Sequence, residues 1–81
     1  MSRIYKLRSS IIGREITFKE MIDSIIDARE PAPTHIEIEY DIINDLGTVT
    51  YIRDKQLYRV YFMSINHNMG DNSKLIVYRV E

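Results

Sequence analysis

A chain of 81 residues with no cysteine, two histidines and a net charge of −1 has room for one small core, and it excludes a disulfide framework, a thiolate metal site and a strongly basic nucleic-acid domain. The small net charge hides a polarised chain: residues 1–14 carry +4, residues 15–45 carry −7 and residues 46–81 carry +2. No apolar run approaches the ~20 residues that span a bilayer, and no apolar region follows Arg3, Lys6 and Arg8, so neither a membrane span nor a signal peptide is expected.

Residues 3–8 alternate, with Arg3, Tyr5 and Leu7 pointing one way and Ile4, Lys6 and Arg8 the other. The pattern predicts a short strand near a sheet edge, ended by Gly13. Phe18, Met21, Ile22, Ile25 and Ile26 then recur at i, i+3, i+4, i+7 and i+8, one apolar stripe of an α-helix. Thr17 and Glu20 have the spacing of a capping box, and Ile16 and Met21 that of a hydrophobic staple. Pro31 stops this helix and disfavours helical geometry at Glu30.

After Pro33, residues 34–41 alternate Ile36, Ile38 and Tyr40 with His35, Glu37, Glu39 and Asp41, a strand with one wet face. Residues 44–47 read as a turn in which Gly47 takes positive φ. Residues 48–53 form the next strand, and residues 53–56 a tight turn joining it to residues 57–65 as a hairpin. That fourth strand is apolar on both faces, with Leu57, Tyr61, Met63 and Ile65 against Tyr58, Val60 and Phe62. Residues 66–73 are a polar loop, and residues 74–80 a last strand, again apolar on both faces.

The expected fold is α+β in a single domain, an antiparallel sheet of four to five strands with one helix packed on one face, in the order β-α-β-β-β-β. One helix covers one face only. The apolar second face predicts a cover, either a second copy in a homodimer or another protein.

The acids that capping and turns do not use are Asp23 and Asp27 on the helix and Glu37, Glu39 and Asp41 on the following strand. As solvated faces they keep a protein in solution. As a docking surface they suit a basic site on a partner, where complementary charge speeds association and sets specificity. His35 beside Glu37 and Glu39 is no metal site, because alternate strand residues stand ~7 Å apart. His67, in the polar loop, lacks the spacing of a calcium loop. Six tyrosines with Arg53, Arg59 and Arg79 among them offer a different surface. Tyr51 and Tyr58 with these arginines suit stacking on bases and contact with phosphates; the same tyrosines also serve as core-edge residues with wet hydroxyls. No nucleophile elbow, phosphate-binding loop or dinucleotide fingerprint occurs, so no enzyme activity, cofactor or metal is expected.

Ile16-Thr17-Phe18-Lys19-Glu20-Met21, the helix that follows, Pro31 and Pro33, and the Ile-x-Ile strand together resemble small uncharacterised phage and prophage proteins over residues 16–40. The resemblance implies no activity and no residue roles. It implies a context: such proteins often bind and redirect or inhibit a host protein, defence systems included, in the host cytoplasm. The expected function is therefore a small protein-binding module, a virus-encoded inhibitor or regulator, with nucleic-acid or nucleotide binding as the alternative.

Overall fold

The computed structural model describes residues 12–26, 31–66 and 70–81. Five strands and one helix follow in the order β1 (Glu15–Thr17), α1 (Phe18–Ile25), β2 (Thr34–Asp41), β3 (Leu46–Arg53), β4 (Gln56–Ser64) and β5 (Lys74–Val80). All neighbours are antiparallel, and the sheet order is β1-β5-β4-β3-β2. The expected α+β arrangement and element order are therefore present. Its first strand is Glu15–Thr17, immediately before the helix; the strand read at residues 3–8 lies outside the described residues. Gly13, at φ 81, turns the chain from the bridge between Ile12 and Val77 into β1, and its N–H donates to the Val77 carbonyl at 2.8 Å.

The helix begins as its sequence predicts. The Thr17 hydroxyl accepts from the Glu20 N–H at 3.1 Å, and the Thr17 N–H donates to the Glu20 carboxylate at 2.9 Å. The next amides are also satisfied, since Phe18 donates to the Ser73 carbonyl and Lys19 to the Asp71 carbonyl. The loop after β4 thus ties down the helix start. The helix ends at Ile25, well before Pro31. The Arg53 guanidinium takes the Ile25 carbonyl and also donates to the Pro31 carbonyl at 3.2 Å. A cation there also complements the negative end of the helix dipole. Ile26 is only the C-cap and is 46% exposed, so the buried stripe is shorter than the periodicity predicts.

The core lies between α1 and one sheet face. Met21 and Ile25 from the helix meet Val49 and Tyr51 of β3, Val60 and Phe62 of β4, and Leu75 and Val77 of β5, all fully buried. Ile16, the expected staple partner of Met21, is buried in the same cluster.

Two turns differ from expectation or refine it. The β2–β3 turn occupies residues 42–45, and positive φ falls on Asp45 (58°). Gly47 instead sits in β3 opposite Tyr40 and Phe62, where a Cβ would land inside the Phe62 ring. Glycine is needed there for packing, and the turn does not use it. The β3–β4 hairpin turns through Asp54 and Lys55 at φ 51 and 66, the two positive values of a type I′ turn built without glycine.

Candidate functional site

Strand pairing assigns the registered sheet residues to faces. In the rows Asp41–Leu46–Met63–Ile76, Glu39–Thr48–Tyr61–Arg79 and Glu37–Thr50–Arg59, each set shares the face opposite the helix. Among the described residues nothing covers this face. Leu46, Leu57, Met63 and Tyr78 are each 40% exposed or more.

This placement separates the acids into two groups. Asp23 is on the outward side of α1, where Lys19 donates to it at 3.0 Å; the Asp23 carboxylate in turn raises the lysine above its ordinary pKa. Asp27 lies outside the described residues. Asp41 is a turn-former: its carboxylate accepts from the Ile43 N–H (2.9 Å), the Asn44 N–H (3.2 Å) and the Asn44 side-chain amide (2.7 Å). These donors, the Asn44 side chain foremost, hold Asp41 below its ordinary range. Glu37 and Glu39 are different. Both are exposed, and neither carboxylate makes an ion pair or hydrogen bond within the described residues. They line a shallow hollow of about 280 Å³ together with Thr48, Thr50, Arg59 and Tyr61.

The arginines and tyrosines proposed for nucleic acid also divide. Arg53 and Tyr51 face the helix and are buried at 4% and 0% exposure, with the guanidinium 5.7 Å from the Tyr51 ring centroid. Tyr58 stacks on Tyr51 at 5.5 Å and donates its hydroxyl to Gln56. These three lie on the core side, Arg53 and Tyr51 buried and Tyr58 half-buried. Arg59 and Arg79 remain on the open face. Arg79 lies 5.3 Å over the Tyr61 ring and pairs with Glu81; Tyr61 meets Tyr78 at 6.3 Å and donates its hydroxyl to Glu81. That hydroxyl, ahead of the arginines, keeps Glu81 below its ordinary range.

The structure adds residues that sequence reasoning did not single out as a surface. Ile42 and Ile43, in the β2–β3 turn, are 69% and 87% exposed, and Ile36 and Ile38 of β2 are exposed as well. Two isoleucines between Asp41 and Asn44, where turn chemistry calls for small or polar residues, were the available signal. Among the described residues no cluster of three metal-ligating side chains occurs, and no helix is long and apolar enough to cross a membrane. No protein-family model, curated protein or solved structure matches the chain significantly.

Proposed function

We propose that the chain is a small protein-binding module that docks a basic polypeptide surface through β2 and the adjoining open sheet face. The observation that carries this reading is the pair Glu37 and Glu39: two exposed carboxylates with no local partner, beside exposed apolar residues that nothing among the described residues covers. In this reading the partner is a host protein, such as a component of a defence system, and the role is that of an inhibitor or regulator. The test is capture from host lysate with the chain and its Glu37→Lys/Glu39→Lys variant side by side. A partner retained by the first and lost by the second supports the reading; the same proteins on both remove it. Self-association through the open face is a separate proposal, and light scattering that gives a monomer at high concentration removes it.

Nucleic-acid or nucleotide binding has one observation in its favour, the Arg79–Tyr61–Tyr78 cluster near Arg59. Against it, Glu37, Glu39 and Glu81 share that surface or border it, and their charge repels phosphate. Absence of retention on a nucleic-acid column at low salt removes this alternative.

A further inference from the structure

The two edges of the sheet are protected differently. β1 is an edge of three residues, too short to template another strand. β2 is an edge of eight residues, exposed at every position but Tyr40. Its backbone directions follow from one hydrogen bond. The Ser64 N–H donates to the Asp45 carbonyl at 2.7 Å, and bonded pairs alternate along an antiparallel ladder. Odd-numbered residues of β3 therefore bond β4, and Thr48 and Thr50 bond β2 through Glu39 and Glu37. The N–H and C=O groups of Ile38 and Tyr40 consequently point outward along an edge that no strand among the described residues pairs with.

The side chains of this edge select what can pair there. A second copy, added antiparallel about a two-fold axis, would set Glu37, Glu39 and Asp41 directly against the same acids, which is destabilising. A bulge between Thr34 and Glu37, with His35 at φ 55, further limits the length of any self-pairing. Charge of one sign repels a copy but attracts a strand of the opposite sign. The other side of the same edge presents Ile38, 46% exposed.

We infer that β2 accepts an added strand from its partner along residues 37–41, an extended segment with basic residues on one side, against Glu37 and Glu39, and apolar residues on the other, against Ile38 and Tyr40. This inference rests on the protein-binding reading and specifies its geometry.

A synthetic peptide alternating lysine and valine over the length of β2 is the probe, with a glutamate–valine peptide as its control, each added to the isotope-labelled full chain. The lysine peptide should bind and the control should not. Hydrogen exchange at the Ile38 and Tyr40 amides should slow about tenfold with the peptide near ten times its Kd. The Glu37→Lys/Glu39→Lys variant should reverse the choice of peptide. Charge-dependent binding with unchanged exchange at Ile38 and Tyr40 overturns strand addition while leaving the acidic docking surface standing. Failure of the lysine peptide to bind overturns both. Protection of those two amides that rises with protein concentration in the absence of peptide would assign the edge to a second copy and overturn the inference.

Discussion

The Phe62 ring lies over the Cα of Gly47, directly across the β3–β4 pair, and stacks on Tyr40 at 6.5 Å from the other side of the same glycine. The missing Cβ lets two aromatic rings meet across β3, and Phe18 adds an edge contact to Phe62 at 6.4 Å. Gly47→Ala should cost about 1–3 kcal/mol, because the buried ring has no room to retreat. Chemical denaturation measures it. Trimming the ring with Phe62→Leu in the same chain should make the two losses less than additive.

Arg53 joins the end of α1 to the chain at Pro31 through the Ile25 and Pro31 carbonyls. Arg53→Ala should lower stability by about 1.5–3 kcal/mol, the range for hydrogen bonds to a charged group. It should leave any nucleic-acid retention unchanged, whereas a ligand-contacting arginine would move retention and spare the unfolding midpoint.

Asp54 and Lys55 hold two left-handed conformations that asparagine and glycine adopt at lower cost. Asp54→Asn with Lys55→Gly should raise stability by roughly 0.5–1 kcal/mol and keep the hairpin register. Thermal unfolding, with the Tyr51–Tyr58 pairing followed by NMR, checks both.

Much of the fold was legible because its determinants are local. The capping box and stripe of α1 depend on residues three and four apart, β2 shows in its alternation, and β3 to β5 show in their runs of β-branched, aromatic and apolar residues. β1 did not, since three residues carry no period. The role of Gly47 did not, since it depends on a ring in another strand. The division of the arginines was partly legible: Val49, Tyr51 and Arg53 share a strand face by simple alternation, which places Arg53 with the core. A two-residue turn at Asp54 and Lys55 also fixes Thr50 opposite Arg59. That Glu37 and Glu39 border the same hollow as Arg59 required the order of the whole sheet.

Acid should destabilise the fold through Glu20, Asp41 and Glu81. Each is held below its ordinary pKa, Glu20 chiefly by the Thr17 N–H and then by the Thr17 hydroxyl. A carboxylate depressed in the folded state stabilises it at pH above the unfolded-state pKa. That contribution is lost as the pH falls through the lower folded value. The unfolding midpoint should therefore fall as the pH drops below the ordinary values of 4.5 for the glutamates and 3.8 for Asp41. Glu20→Gln keeps an acceptor for the cap and should flatten this dependence by lowering the midpoint slightly at neutral pH and leaving it unchanged in acid.

The central claim is that Glu37 and Glu39 bind a partner and do not hold the fold. Its most direct measurement is a calorimetric titration of the captured partner with the chain and with the Glu37→Lys/Glu39→Lys variant, alongside their unfolding midpoints. The account predicts equal midpoints and an affinity at least about thirtyfold weaker in the variant, roughly 2 kcal/mol. Equal affinity at equal midpoint would contradict it.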